Sequence, residues 1–404
     1  MAAPQIDGAR LAADLETLAE FGATAAGGVN RVAYSGADLE ARDWIDAHLS
    51  ELGMAVRRDQ LGSTIAEIEG TEPGLAAIGI GSHTDTVPDG GRYDGALGVI
   101  AGLACVRALR AAEIRLRHPL AVINFEAEEA TMAGGTFASR AFVGRLEAGA
   151  LERSAFDGRP IGDHLRGAGL DPGTVALAAE TRPALAAFLE LHVEQGPVLE
   201  EAGEQIGVVD GIVGIRRYAA SFEGIANHAG TTPMAARRDA LVAAAPFVVA
   251  ARDVAVDHGI VATVGTLRVS PGAPNVIPGQ VRMDVELRSA EEGLLEAAER
   301  DLSGLASAGG GELKRLSATP PLHFSESVRA RLDAVCVRLG RSHRRVWSGG
   351  GHDAGLLASV TEAAMVFVPS RGGFSHSRRE LTDPEHCAAG AEVLLAGILD
   401  LDRA

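Results

Sequence analysis

Four short polar clusters in this chain combine residue types that hold a cation with residue types that move a proton. The first is Gly81-Ser82-His83-Thr84-Asp85, followed beyond Pro88 and Gly90-Gly91 by Tyr93-Asp94-Gly95. A histidine and an aspartate joined by a tight loop can converge on one ion. Asp85 is spaced to orient His83 through its second ring nitrogen. By themselves, His83 reads equally well as a hydrogen-bonded turn residue and Asp94 as the N-cap of the next helix. The second cluster, Glu126-Ala127-Glu128-Glu129, follows the apolar Ile123-Asn124-Phe125. Three carboxylates there repel one another unless a cation or solvent relieves them. A metal ligand beside a general base that takes a proton from water fits that position better than a solvated acidic loop.

The third cluster runs from Glu190 to Pro197 and contains His192; the fourth, Gly372 to Ser377, contains His376. One histidine in isolation is more often structural than ligating, but four such clusters argue for a shared site. His83, Asp94, Glu129, His192 and His376 are too many ligands for one tetrahedral zinc. With Asp94 bridging, each of two ions has three protein ligands and an open position, the arrangement of a two-metal hydrolase.

The clusters need a scaffold, and the intervening sequence supplies one. Leu75–Ser82, Leu120–Phe125, Ala186–Leu191 and Ala364–Val368 are short apolar runs bounded by polar residues, the pattern of buried strands. Asp7–Ala19, Asp38–Leu52 and Gly95–Ala112 place apolar residues at helical spacing. This alternation predicts an α/β sheet whose ligands sit beyond the carboxyl ends of its strands. The middle of the chain differs. A strand over Arg217–Glu223, a helix over Arg237–Val256, strands over Ile260–Val269 and Gln280–Arg288, a helix over Ala290–Ala308 and a strand near Glu312–Ser317 give the order β-α-β-β-α-β of a ferredoxin-like unit. The expected organisation is a catalytic domain of residues 1–211 and 321–404 with an α+β domain of residues 212–320 inserted.

Composition narrows the function classes. Asp+Glu 54 against Lys+Arg 37 leaves a net charge of −17, with no basic field for nucleic acid or an anionic membrane. Hydrophobic residues at 47% and charged ones at 23% exclude a disordered chain or a fibre. Cys105, Cys336 and Cys387 lack metal or redox spacing and fit a reduced, cytoplasmic setting. The Met1–Arg10 stretch has no signal-peptide pattern, and no run of about 18 apolar residues occurs.

Longer stretches carry a family resemblance: Gly28 to Ser35, Gly81 to Pro88, Gly90 to Gly95, Glu190 to Glu200, His228-Ala229-Gly230-Thr231-Thr232-Pro233-Met234, Asn275-Val276-Ile277-Pro278-Gly279 and Gly351-His352-Asp353-Ala354. Across nearly its whole length the chain resembles the amidase/carbamoylase branch of the di-metal aminoacylase and carboxypeptidase superfamily, which includes N-carbamoyl-L-amino acid hydrolases, allantoate amidohydrolases and β-ureidopropionases. The resemblance implies a di-metal exopeptidase-like α/β catalytic domain with an inserted lid and dimerisation domain, working as a homodimer. It implies one ion on His83, Asp94 and His192, the other on Asp94, Glu129 and His376. Glu128 matches the general base and Asp85 the partner that orients a ligand. His228 matches the histidine that polarises the scissile carbonyl, Gln195 a substrate-amide contact, and Asn275 and Arg288 groups that grip the substrate carboxylate.

The implied reaction is cleavage of the ureido C–N bond of an N-carbamoyl-L-amino acid. Allantoate and 3-ureidopropionate are alternative substrates; an aminoacylase or aminopeptidase, and a metal-free binding module, are more distant readings. Zinc suits the ligand set, and manganese, cobalt and nickel overlap with it. Ala130-Thr131-Met132 replaces the Gly, small residue and Arg-Phe that usually follow the paired glutamates in the family, and Gly350 stands where Ala is common. Both changes bear on pocket shape. His352 receives no role from the sequence.

Overall fold

A computed structural model describes residues 3–132 and 134–403; Met1 and Ala2, at the start of the N-terminal stretch considered above, lie outside them. The chain divides into two compact units, Met1–Asp210 with Phe324–Ala404, and Gly211–His323.

The first unit is built on a mixed sheet with a parallel centre. Leu120–Phe125, Ala77–His83, Leu185–Val193 and Glu362–Val368 lie side by side in that order, each parallel to the next. Thr64–Ile68 and Ala55–Arg58 extend one side antiparallel, and Ile206–Ile212 pairs antiparallel on the other. The central strands are buried almost throughout, so both of their faces carry apolar residues and their sequences read as continuous runs rather than alternation. Helices Gly8–Glu20, Ala96–Ala111, Glu326–Leu339 and Pro384–Leu401 contribute to one apolar core with these strands. Two strands run further than expected: pairing continues through His83 opposite Phe125 and through His192 opposite Phe367. Both histidines are thus fixed by a ladder rather than carried on a loop.

The second unit is an antiparallel sheet in the order Gly311–Thr319, Gly214–Glu223, Gln280–Ser289, Val261–Ser270. Numbered along the chain this is fourth, first, third, second, with helices Ala240–His258 and Glu292–Ala308 completing the β-α-β-β-α-β order. Burial alternates along the two central strands, and the core lies between one sheet face and the helices. The first helix starts three residues later than the sequence suggests, because the Asp239 carboxylate caps the amides of Leu241 and Val242. Among the described residues no helix is long and apolar enough to cross a membrane.

Candidate metal centre

The strand order of the first unit reverses beside Ala77–His83. The chain passes from it to Leu120–Phe125 on one side, then returns to Leu185–Val193 on the other. Ligands gather beyond the carboxyl ends of strands at such a switch point. His83 and His192 end two of these strands, Glu126–Glu129 follows the third, and the segment bearing His376 follows the fourth.

Asp94 is the centre of this arrangement. Its Oδ1 lies 3.2 Å from His192 Nε2 and 3.7 Å from His83 Nε2, and its Oδ2 lies 3.4 Å from His376 Nε2. His376 Nε2 is also 3.4 Å from Glu129 Oε2. Two sets, His83 with Asp94 and His192, and Asp94 with Glu129 and His376, each bring one donor atom per residue within 4.8 Å of the others. The alternative reading of Asp94 as a helix cap does not hold. The capping position is Gly95, with φ 64°, and its amide donates to His192 Nε2 at 3.0 Å rather than to the Asp94 carboxylate. That frees the Asp94 carboxylate for the cluster. A Cβ at Gly95 would lie 2.3 Å from His83 Nε2, so only glycine permits this approach.

The imidazoles are held with Nε2 facing inward. His83 Nδ1 donates to the Asp85 carbonyl at 3.0 Å and His192 Nδ1 to the Val193 carbonyl at 2.8 Å. Asp85 also acts through its side chain: Oδ1 and Oδ2 accept the amides of Glu128 and Glu129, both at 3.1 Å. One buried residue therefore orients a ligand histidine through its carbonyl and the two glutamates through its carboxylate. Glu128 Oε2 lies 3.6 Å from His83 Nε2. Ala127, Gln195 and His376 have positive φ, the left-handed backbone that non-glycine residues rarely adopt and that collects at functional sites.

Electrostatics give the fit test for a cation. Burial, with Asp353, Glu129 and Asp85 nearby, pushes the Glu128 carboxyl well above its usual range despite His83. Burial and Asp94 raise Glu129 to about 7. Burial opposes ionisation of Asp94 too, but His192 and His376 hold it well below the ordinary value. The hydrogen bond to Asp94 lifts His376 to about 9. A field that favours a proton on inward-facing imidazole nitrogens also favours a divalent cation there, and the nitrogen and carboxylate donors are those of zinc-type sites. The residues fit two ions.

Gln195 donates from Nε2 to Asp94 Oδ2 at 2.7 Å, next to the centre. His352 is buried against His192, ring centroids 4.5 Å apart, with Nε2 2.8 Å from Ser348 Oγ. Burial and His192 push its pKa well below the ordinary value, which keeps it neutral. Several supporting residues escaped the sequence reading. Arg42 is wholly buried and donates to the carbonyls of Asn124 and Phe125 at 3.0 and 2.8 Å, beside Asp38 and Glu126. It clamps the start of the acidic loop. Glu190 accepts from Ser82 Oγ and the Ala354 amide, and Glu380 accepts from the amides of Tyr93 and Asp94. No motif marked Arg42 or Glu380, and Glu190 opens the third cluster without a role assigned to it; an arginine at helical spacing from an aspartate, Asp38 to Arg42, was a usable signal.

The second unit holds His228, Asn275 and Arg288. His228 is exposed, and its Nδ1 accepts the amides of Gly230 and Thr231 at 3.0 and 3.2 Å, so its proton belongs on Nε2, available for donation. Asn275 is on the adjoining loop, where its carbonyl accepts the Ala229 amide at 2.9 Å. Arg288 is partly buried and paired with Glu286 at 2.7 Å. It stands near the far end of the Gln280–Ser289 strand, opposite Ile215, whereas the His228 and Asn275 loops leave the sheet beyond Gln280. Arg288 is eight steps along the strand from Gln280, about 26 Å at roughly 3.3 Å per residue.

Comparison with known proteins finds relatives along nearly the whole chain. The model of peptidase family M20/M25/M40 matches residues 79–400. An N-carbamoyl-L-amino acid amidohydrolase of Geobacillus stearothermophilus is 38% identical, over 96% of this chain and 97% of that one. An allantoate amidohydrolase of Bacillus subtilis is 32% identical over 94% of each. The crystal structure of an amidase of the hydantoinase/carbamoylase family from Burkholderia multivorans superimposes with a TM-score of 0.91, at 36% identity and full coverage of both chains. The chain belongs to peptidase family M20/M25/M40, in its hydantoinase/carbamoylase amidase branch, and is a hydrolase of C–N bonds.

Proposed function

We propose that the protein hydrolyses N-carbamoyl-L-amino acids to ammonia, carbon dioxide and the L-amino acid. The observation that carries this reading is the convergence of His83, His192, His376 and Glu129 on Asp94 with Glu128 beside them. The names of the similar amidohydrolases support the ureido substrate.

Two divalent ions, one on His83, Asp94 and His192 and the other on Asp94, Glu129 and His376, would supply Lewis acidity and a nucleophilic water at neutral pH. Glu128 accepts the proton of the attacking water and returns it to the departing nitrogen; its raised pKa suits a group that must both take and give a proton. Asp85 keeps Glu128 and His83 in register. His228 donates from Nε2 to the oxygen that gains charge when the ureido carbon is attacked. Gln195 contacts the substrate amide, and Asn275 and Arg288 hold its carboxylate, Arg288 by leaving Glu286 for a bidentate pair.

The protein works as a homodimer through the second unit. Val242, Val249 and Val256 form an exposed stripe at seven-residue spacing on helix Ala240–His258, and Val261–Ser270 is a strand at the edge of its sheet. The separation of Arg288 from His228 and Asn275 within one chain also favours sites that draw these groups from two subunits.

The test is a panel measuring ammonia and amino-acid release from N-carbamoyl-L-amino acids, their D-enantiomers, allantoate, 3-ureidopropionate, N-acetyl amino acids and dipeptides, with zinc, manganese, cobalt and nickel in turn. Highest kcat/KM on an N-carbamoyl-L-amino acid is expected. Preference for allantoate would move the assignment within the branch, and preference for acetyl or peptide substrates would reject it.

A further inference from the structure

Glu380 is almost fully buried between two segments that each bring a residue to the second ion set. Its Oε1 accepts the amides of Tyr93 and Asp94 at 2.7 and 3.0 Å. Its Oε2 lies 3.2 Å from Ser375 Oγ, which in turn reaches Asp94 Oδ2 at 2.8 Å. Its own amide donates to the Ser377 carbonyl at 3.0 Å, closing the turn that directly follows His376, whose backbone is left-handed. Gly91 is shaped to this carboxylate: a Cβ there would lie 2.1 Å from Glu380 Cδ, too close for any side chain. One carboxylate thus ties residues 91–94 to residues 375–380.

We propose that Glu380 is a positioning residue that couples Asp94 to His376 and so sets the affinity for the second divalent ion. The proposal rests on the two-ion reading given above. The first set differs in support, since His83 and His192 are held by strand pairing and by their own carbonyl partners. His376 is on a loop, its side chain 51% exposed, and depends on the tie. Loss of Glu380 therefore frees the second set while Asp94 stays within reach of His83 and His192.

The test is metal loading. Unmodified protein, Glu380→Ala, Glu380→Gln and Gly91→Ala are stripped with a chelator, dialysed against buffered free zinc over a concentration series, and assayed for bound metal per chain by mass spectrometry. Circular dichroism on the stripped proteins reports folding. Unmodified protein is expected to load two ions. Glu380→Ala should keep one at unchanged affinity and bind the other about 10- to 100-fold more weakly. Glu380→Gln retains an oxygen that accepts both amides and should restore the second ion to within about threefold of normal. Gly91→Ala, which displaces the carboxylate without altering it, should behave as Glu380→Ala does. If Glu380→Ala does not fold, Gly91→Ala and Glu380→Gln carry the comparison.

Equal weakening of both ions, full loading of Glu380→Ala or Gly91→Ala, or a Gln variant as weak as the Ala variant would overturn the proposal. No ion in the unmodified protein would instead refute the two-ion reading, and the role of Glu380 with it.

Discussion

The two units present their functional residues in opposite ways. In the first, His83, His192, Asp94, Glu128 and Glu129 are buried and each is held by strand pairing, a neighbouring backbone group or another cluster side chain. In the second, His228 and Asn275 are exposed on loops and contact near neighbours in these loops. The difference teaches that one region is preorganised at the cost of burying like charges, while the exposed loops of the other would, on the proposed function, complete their contacts with substrate. Variants in the first should stop the chemistry, and variants in the second should weaken binding and transition-state contact.

The sharpest test of that contrast is Glu128→Gln. It leaves every backbone contact in place, so metal content should stay normal while kcat falls by about 10²- to 10⁴-fold; near-normal turnover would remove Glu128 from the proton transfer. His228→Ala should lower kcat by about 10²- to 10³-fold, the range for loss of a donor to a developing oxyanion. Arg288→Ala should act chiefly on KM, raising it about 10- to 100-fold, as expected for loss of a charge-assisted contact. Mixing the last two variants sharpens the comparison further. If His228 and Arg288 of one site come from different subunits, mixed dimers hold one intact site, and activity should return to about a quarter of normal by random pairing. No recovery after confirmed subunit exchange would assign both residues to the same chain.

The smallest effect concerns stability of the metal-stripped protein. Burial lifts Glu129 and Glu380 to about 7 and Asp353 to about 8, and the Asp94 bond lifts His376 to about 9. All four bind a proton more tightly folded than unfolded. Each contributes stability that is complete below its unfolded pKa and is lost as pH rises through its folded value. Asp94 and Asp85 are shifted down, so their contribution is lost only in acid, below about pH 4. Tm of stripped protein, followed by differential scanning calorimetry, should fall from pH 5 to 9, and saturating zinc should flatten the slope. A Tm that rises over this range without metal would contradict the charge balance described for the cluster.

The parts of the site visible in the sequence are those where chemistry and position coincide. His83, Glu128, Glu129 and His192 end apolar strands or follow them directly, so pattern and reactivity mark the same place. The parts that were hidden act through geometry. Arg42 and Glu380 serve backbone carbonyls and amides distant in sequence, which no local pattern records. The cap reading of Asp94 was undecidable until the left-handed Gly95 was seen. In the second unit, element order could be read from alternation and helical spacing, but the start of helix Ala240–His258 was set by the Asp239 cap, which apolar spacing alone overran. The opposed positions of Arg288 and His228 depend on strand register and had no counterpart in linear spacing.

Anomalous diffraction from crystals grown with zinc tests the central claim most directly. Two peaks are predicted, roughly 3.5–4 Å apart with Asp94 between them, one about 2.0–2.2 Å from His83 and His192 and the other at that distance from Glu129 and His376. A zinc-saturated crystal with no peak at Asp94, or with its only peaks elsewhere on the chain, would contradict the two-ion account.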